Sequence, residues 1–394
     1  MKFDTFELER FQSTWENQVE INISESGVHP LTVDELFALA GQVNAPRVSR
    51  RNFPAPLSGT RLGYSQTDGT LVLRQKIARL YRGATTDHVE VTNGGSEANF
   101  VTLWRLVERG DEIVVMMPNY MQVWGLGRAF HGRVKEWWLH PVKGTTSPRW
   151  VPQGPELKKL VTKKTRLIAV CNPNNPTGAV LKRNFMEEVI ARARWADAWV
   201  LADEVYQGAE LSGAITPSFW SIGDKAPYKK LIVSNSLSKA YGLPGLRIGW
   251  LVGSPEAIAH SWAAHDYTSI GPGALNDALA AIALTPAVRK SILERTRNVL
   301  RSQWPILEDW AEQNGDTFEL IKPQAGAIAL LRYKFKMNST QFAEHLRRQK
   351  SVLIVPGDHF HLDGYLRVGF GGHLKELKEG LKRLSQVAAR LHGG

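Results

Sequence analysis

The chain has 394 residues, of which 43% are hydrophobic and 22% are charged, values that exclude a disordered or fibrous protein. Its 49 basic and 38 acidic residues give a formal charge of +11. The basic residues are scattered in short pairs, so we predict a charged surface and no nucleic-acid interface. Cys171 is the single cysteine, which excludes an internal disulfide framework and fits a reducing compartment. No apolar run approaches the roughly 20 residues of a membrane span, and the N-terminus is acidic and polar, so we expect a soluble, cytoplasmic protein without membrane contact.

Short apolar runs alternate with amphipathic stretches over a long middle section of the chain. Five of the runs have the pattern of buried strands: residues 113–117, 167–170, 199–202, 231–233 and 248–252. Their continuous apolar character is typical of strands that are covered on both faces. Segments 96–107 and 185–196, which lie between them, have a helical pattern. The alternation predicts an α/β layer with a largely parallel sheet.

The C-terminal part of the chain has a different pattern. Apolar residues recur there at steps of three or four, on one face of a helix: Leu374, Leu377, Leu381, Leu384, Val387 and Leu391. Segments 326–331 and 351–355 have strand patterns and flank a helix that begins near Ser339. We therefore predict a smaller α+β domain, separated from the first by a break inside the helical region 289–301.

A lysine follows the fourth of the predicted strands, in the run SLSKAYGLPGLRIG at residues 236–249. Burial and cationic neighbours lower the pKa of a lysine amine, which makes it a Schiff-base nucleophile. The hydroxyls of Ser236 and Ser238 and the cation of Arg247 add a composition that suits phosphate beside the amine of Lys239. Taken alone, a solvated loop lysine is the simpler interpretation.

Three other segments lie at the ends of predicted strands or at the start of a predicted helix. These are the positions at which parallel α/β sheets bind ligands. Asp203, in ADEVYQG, lies at the C-terminal end of a strand, the edge at which open α/β sheets bind ligands. The loop CNPNNPTG at 171–178 ends another strand with prolines and amide side chains. The turn TNGGSEA at 92–98 opens a helix, whose N-terminal N–H groups form an anion site.

Together, the motifs NPNNPTG, DEVY and SLSKAYGLPGLRIG resemble those of fold-type I pyridoxal-phosphate enzymes, the class I/II aminotransferase superfamily with the aspartate aminotransferase fold. The resemblance runs from about Tyr64 to Arg367, and the motif spacing is highly specific. It implies a large domain with a mostly parallel seven-stranded sheet between helices, a smaller α+β domain and pyridoxal 5'-phosphate as cofactor. It also implies a homodimer with shared active sites. We place an N-terminal segment over the active site at 1–44, the large domain at 45–290 and the small domain at 291–394, and we expect no metal site.

The resemblance implies a role for each residue that matches a motif. Lys239 is implied to bind the cofactor as a Schiff base and then to move protons. Asp203 is implied to keep the pyridine nitrogen protonated, so that the ring accepts electrons. Tyr206 and Asn175 would bind the phenolic oxygen of the ring, and Arg367 would take the substrate α-carboxylate as a bidentate fork.

Further cofactor contacts follow from the same resemblance. Tyr120 would stack on the ring. The remaining contacts surround the phosphate: Gly95, Ser96, Glu97, Ser236, Arg247 and, reaching across from the second subunit, Tyr64.

The N-terminal stretch NISESGVHPLT at 22–32 departs from ordinary class I/II aminotransferases. It is similar to a subgroup that includes capreomycidine synthase-like cyclases and pyridoxal-phosphate-dependent arginine oxidases or hydroxylases. In those oxidases an N-terminal helix covers the site, and a histidine in this segment is important for catalysis. His29 is either that residue or a histidine that caps the helix beginning at Thr32. The predicted substrate contacts are Arg367, Asn175, Gly27 and His29.

Charge in the same segment bears on the substrate. Glu16, Glu20 and Glu25 lie where the chain is expected to fold over the pocket, and a guanidinium substrate needs acidic groups near its distal end. We predict an aminotransferase that acts on the α-amino group of a neutral or basic L-amino acid with a 2-oxo acid. The alternative is oxidation, hydroxylation or cyclisation of an arginine-type amino acid.

A third interpretation is a cofactor-sensing domain of a transcription regulator. Such a protein would need a helix-turn-helix domain ahead of this fold, and the stretch before Tyr64 is expected to form the active-site segment instead.

Overall fold

The computed structural model describes residues 2–42, 62–142, 148–222 and 227–392. The helices there are α1 Glu7–Trp15, α2 Val33–Gln42, α3 Leu71–Ala78, α4 Gly95–Leu106, α5 Gln122–Ala129, α6 Gly154–Leu160, α7 Arg183–Ala196, α8 Pro255–His265, α9 Ala274–Ala283, α10 Pro286–Gln313, α11 Ser339–Lys350 and α12 Leu374–His392. In this described part of the chain, no helix is long and apolar enough to cross a membrane.

The strands fall into one large sheet, one small sheet and a separate pair. They are β1 Ile21–Asn22, β2 Val89–Thr92, β3 Glu112–Met117, β4 Arg133–Val142, β5 Arg149–Pro152, β6 Thr165–Cys171, β7 Trp199–Asp203, β8 Leu231–Ser236, β9 Gly249–Gly253, β10 Phe318–Leu320, β11 Ile328–Tyr333, β12 Val352–Leu353, β13 Val355–Pro356 and β14 Tyr365–Gly369.

The large sheet has the strand order β2-β9-β8-β7-β6-β3-β4-β5. Neighbours from β8 through β4 are parallel, whereas β9 and β5 are antiparallel to the strands beside them. Ile168 and Val200 pack in the apolar cluster that holds side chains of α7, and Leu167 and Leu201 pack in the cluster of α4, α5 and α8. Helices therefore cover both faces, as the continuous apolar runs predicted. The α/β fold class is confirmed, and the short edge strand β5 is an eighth strand beyond the seven predicted.

The small sheet is antiparallel, with the order β10-β11-β14-β13. The 28-residue helix α10 contacts the loop after β8 and the small sheet. Thr296 in its first half donates to the carbonyl of Ala240 at 2.8 Å. In its second half, Trp310 packs against Phe318 of β10 with 5.1 Å between ring centroids. The predicted break at 289–301 lies within this helix, and the domain limits themselves stay a prediction.

The N-terminal segment attaches to the small sheet side of the molecule. β1 pairs in parallel with β12, and the N–H of Gly369 donates to the carbonyl of Ile23 at 2.8 Å. Leu8 of α1 packs in a small apolar cluster with Val355 and Phe360. On its other side α1 lies beside the carboxyl ends of the large-sheet strands, because Glu9 bonds the hydroxyl of Tyr120 in the loop after β3. Residues 1, 43 and 44 of the predicted segment lie outside the described residues.

Candidate active site

The predicted motifs meet at one edge of the large sheet because each follows the carboxyl end of a strand of common direction. A cavity of about 330 Å³ lies at this edge. Its lining includes Gly95, Ser96, Tyr120, Asn175, Asp203, Tyr206, Ser236, Lys239, Arg247 and Arg367. A larger cavity of about 1130 Å³ lies between α10 and residues 210–217, and no predicted site residue lines it. The sequence motifs therefore converge on the smaller cavity.

Lys239 lies inside this cavity on the loop after β8. Burial lowers the pKa of its amine, and the charges of Arg367 and Arg247 lower it further, while Glu25 opposes them. A Cβ built on Gly27 would lie 3.6 Å from Cδ of Lys239, so the N-terminal segment packs directly on the lysine side chain. A buried amine with a lowered pKa is available as a nucleophile and as a base.

Asp203 ends β7, and both carboxylate oxygens accept hydrogen bonds. Oδ1 accepts from the N–H of Val205 at 3.1 Å, and Oδ2 accepts from Nδ2 of Asn99 at 3.1 Å. Burial raises the pKa of Asp203, whereas the two hydrogen bonds and Lys239 favour the charged form. Sequence reasoning missed Asn99; the available signal was an amide at a position of α4 that faces the core.

Arg367 on β14 is 1% exposed and lies against Asn175 and Tyr206. Nη1 donates to Oδ1 of Asn175 at 3.1 Å, and Nη2 donates to the carbonyl of Ser24 at 2.6 Å. Nε of Arg367 and the hydroxyl of Tyr206 are buried without a hydrogen-bond partner in the described parts of the chain. Two unpaired polar groups at a cavity wall fit a ligand that carries oxygen atoms.

The turn before α4 forms a cradle with the loop after β8. Gly94 has a φ of +85°, and a Cβ there would lie 2.3 Å from Nη2 of Arg247. A Cβ on Gly249 would lie 2.5 Å from the backbone carbon of Gly94, so both positions require glycine. Ser236 lines the cavity beside the first turn of α4. Hydroxyls, a guanidinium and a helix N-terminus form the donor set that phosphate needs, so these residues fit pyridoxal phosphate.

Helix α1 covers the cavity from the other side. The hydroxyl of Tyr120 donates to Oε1 of Glu9 at 2.7 Å, and Phe6 packs on the Tyr120 ring with 5.0 Å between centroids. Glu9, Glu16 and Glu25 all line the cavity. Burial raises the pKa of Glu16, and the charges of Glu25 and Glu9 raise it further.

Glu9 was missed by sequence reasoning, and Glu20 was placed wrongly. Glu20 accepts from Nη1 of Arg383 at 2.7 Å and is not among the residues that line the cavity. β1 begins directly after Glu20 and pairs with β12, which places this side chain at the small-sheet side.

Glu97 and Tyr64, two predicted cofactor contacts, do not line the cavity either. Glu97 accepts from the N–H of Asn93 at 2.6 Å and from the hydroxyl of Ser269 at 2.6 Å. Burial would raise the pKa of Glu97, but these hydrogen bonds and His265 lower it to about 2. Glu97 therefore closes the turn before α4 as a structural anion. Tyr64 is 93% exposed in this single chain.

His29 is also absent from the cavity lining. Nη2 of Arg295 lies 2.7 Å from Nδ1 of His29, and because a guanidinium only donates, the imidazole nitrogen accepts. Burial lowers the pKa of His29, and Arg295 and His373 lower it further. The helix cap assigned to His29 as one alternative is wrong, because Thr32 and Glu35 bond each other's backbone N–H groups at the start of α2.

The family model "Aminotransferase class I and II" matches residues 30–384. The chain belongs to this family. This aminotransferase-family enzyme is 29% identical over 375 residues to capreomycidine synthase of Streptomyces vinaceus, across 94% of this chain and 90% of that protein. It is 28% identical over 330 residues to an aspartate aminotransferase of Thermotoga maritima, across 82% of each chain. A solved pyridoxal-phosphate-dependent aminotransferase from Streptococcus suis superposes with a TM-score of 0.89 at 33% identity and 99% coverage of both chains. The predicted cofactor, pyridoxal phosphate, is confirmed.

Proposed function

We propose that this aminotransferase-family enzyme transfers the α-amino group of an L-amino acid with a positively charged side chain, of the arginine type, to a small 2-oxo acid. The observation that carries the proposal is the cluster of Glu9, Glu16 and Glu25 in the wall of a cavity that also contains Lys239 and Arg367. A guanidinium stabilises neighbouring carboxylates, whereas the second carboxylate of a dicarboxylic substrate would be repelled by them.

The side chains at the cavity have different roles toward such a substrate. Bound pyridoxal phosphate supplies an electron-accepting ring beside the amino group. Arg367 binds the α-carboxylate through the guanidinium face that its bonds to Asn175 and Ser24 leave available. Lys239 takes the proton from the substrate α-carbon and holds it on its amine, whose pKa burial lowers from the usual value of a lysine.

The carboxylates of α1 orient the far end of the substrate. Glu9 is held by Tyr120, so its charge has a fixed position above the ring site. Leu8 anchors the helix in the apolar cluster with Phe360, which fixes the position of α1 at the cavity. The attraction between the substrate cation and the glutamates is strongest where they approach one another closely.

The test compares L-arginine with L-citrulline, its uncharged isostere, each with pyruvate as amino acceptor. We expect the enzyme to form the 2-oxo acid from L-arginine with the higher kcat/KM. Glu16→Gln is expected to lower kcat/KM for L-arginine by about 10- to 100-fold, the size of one hydrogen bond to a charged group, with little change for L-citrulline. Glu20→Gln is the matched control, because Glu20 belongs to the same segment but pairs with Arg383. Equal use of both amino acids, or preference for L-aspartate, contradicts the proposal.

A second candidate is oxidation, hydroxylation or cyclisation of the same class of amino acid. It is supported by the similarity to capreomycidine synthase over nearly the whole chain and by the cover that α1 forms. Oxygen uptake with L-arginine, measured without any 2-oxo acid, identifies the oxidase reaction. A cyclic product formed with release of water from an arginine-type amino acid that carries a side-chain hydroxyl, without oxygen uptake or amino transfer, identifies the cyclase reaction.

We also propose that the enzyme is a homodimer in which Tyr64 reaches the site of the second subunit. Leu62, Tyr64 and Tyr267 are each more than four-fifths exposed, and Ser65 bonds the carbonyl of Pro272 close to them. Such an apolar surface near the phosphate cradle is typical of an interface. Light scattering is expected to give twice the chain mass for the active species, and a stable monomer with full activity would contradict this.

A further inference from the structure

The amide of Asn99 is the centre of a buried polar network that connects three elements around the cavity. Nδ2 donates to Oδ2 of Asp203 at 3.1 Å and to Oε1 of Gln122 at 3.3 Å, while Oδ1 accepts from the hydroxyl of Ser234 at 2.8 Å. Asn99 is 2% exposed and Ser234 is 1% exposed. Both polar atoms of this amide therefore have partners on the protein.

The network fixes which way the amide points. If the amide were rotated by half a turn, its oxygen would face the carboxylate oxygen of Asp203. Both atoms are hydrogen-bond acceptors, so no hydrogen bond would form between them. Ser234 is the register partner of Asp203 on the neighbouring strand, so the hydroxyl that holds Oδ1 is itself fixed by the β7–β8 ladder. The side-chain N–H of Asn99 is therefore held in a fixed orientation toward Asp203.

The same network reaches the phosphate cradle. Nε2 of Gln122 donates to the carbonyl of Ser96 at 2.7 Å, at the first turn of α4, and its oxygen accepts from Asn99. The turn that suits the cofactor phosphate and the carboxylate of Asp203 are therefore joined by three consecutive hydrogen bonds, through the side chains of Gln122 on α5 and Asn99 on α4. Movement of either end relative to the other breaks one of these hydrogen bonds.

We propose that Asn99 is a positioning residue that holds the Asp203 carboxylate charged and correctly oriented toward the ring nitrogen of bound pyridoxal phosphate. The inference does not depend on which amino acid the enzyme uses. Without Asn99, Oδ2 of Asp203 loses a donor inside a buried site, and a buried carboxylate with fewer donors takes up a proton more readily. A protonated Asp203 no longer stabilises a positive charge on the ring.

The test is made on holoenzyme without substrate, reconstituted with pyridoxal phosphate that carries ¹⁵N at the pyridine position. In Asn99→Leu we expect the cofactor to stay bound while its ¹⁵N resonance moves from the protonated position toward that of an unprotonated pyridine. Thr102→Val is the matched control, because Thr102 is fully buried on the same helix and bonds only the helix carbonyl of Ala98. Its resonance is expected to stay at the wild-type position.

A milder variant keeps the test open if the leucine substitution does not yield folded protein. Asn99→Ala is expected to shift the ¹⁵N resonance in the same direction, since it also removes the donor to Asp203. A wild-type resonance in a folded Asn99 variant, or an equal shift in Thr102→Val, would overturn the proposal. A failure of the enzyme to transaminate L-arginine leaves this measurement unaffected, so the two proposals fail separately.

Discussion

Replacement of Lys239 by alanine is expected to abolish turnover and covalent attachment of the cofactor while the chain stays folded. A Schiff base cannot be replaced by non-covalent contacts, and the same amine moves the substrate proton. The expected rate loss exceeds about 10⁴-fold, the upper range for the removal of a general base alone. The fold is expected to survive because the amine is desolvated and its pKa is already lowered, so its charge contributes little to stability.

The measurement is borohydride reduction of the holoenzyme followed by mass spectrometry of the chain. Wild-type protein is expected to gain the mass of the reduced cofactor at Lys239, and Lys239→Ala is expected to gain none. Lys76→Ala is the control: Lys76 is a partly buried lysine of α3 that bonds the hydroxyl of Thr285 at 2.9 Å, away from the cavity. Full labelling and turnover in Lys239→Ala would refute the assignment of this lysine.

The core of the site could be predicted from sequence because its residues follow strands. Four of the five apolar runs form neighbouring parallel strands, β3, β6, β7 and β8, so their carboxyl ends must meet at one edge, whereas the fifth run forms the antiparallel β9. Asp203, Asn175 and Lys239 each follow such a run and all line the same cavity. The strands β2, β4 and β5 are not among the five predicted runs; β2 and β5 have four residues each, which gives little periodicity.

The rest of the site depends on contacts between distant parts of the chain, which composition and spacing do not encode. Glu9 enters the cavity because α1 docks on Phe360, a residue of the small-sheet side. Glu97 turns away from the cavity because Ser269 and His265, from beyond β9, supply its donors. In the sequence, His29 follows closely after residues that line the cavity. In the structure, however, its ring accepts a hydrogen bond from Arg295 of α10.

Asp203→Asn is expected to keep the cofactor bound and to lower kcat by about 10²- to 10³-fold, the cost of removing one preorganised electrostatic contact from a site. The asparagine oxygen can still accept the N–H of Val205, so the loop after β7 keeps its support. A neutral amide does not stabilise a protonated pyridine nitrogen, so the ring loses its capacity to accept electrons. The loss is expected in kcat more than in KM, because the charge acts in the transition state.

Glu204→Gln is the matched control for this prediction, since Glu204 is the next residue along the chain and its carboxyl group is buried away from the cavity. Burial raises the pKa of Glu204 to about 8, despite hydrogen bonds from the N–H of Phe219 and the hydroxyl of Ser218. A carboxyl group with this pKa is mostly protonated at pH 7, so a glutamine reproduces its charge and its acceptor oxygen. Glu204→Gln is therefore expected to retain kcat within a few fold. This result would show that the requirement for a negative charge is specific to position 203. A loss smaller than about tenfold in Asp203→Asn, about 1.4 kcal/mol, would mean that this carboxylate does not serve the ring nitrogen.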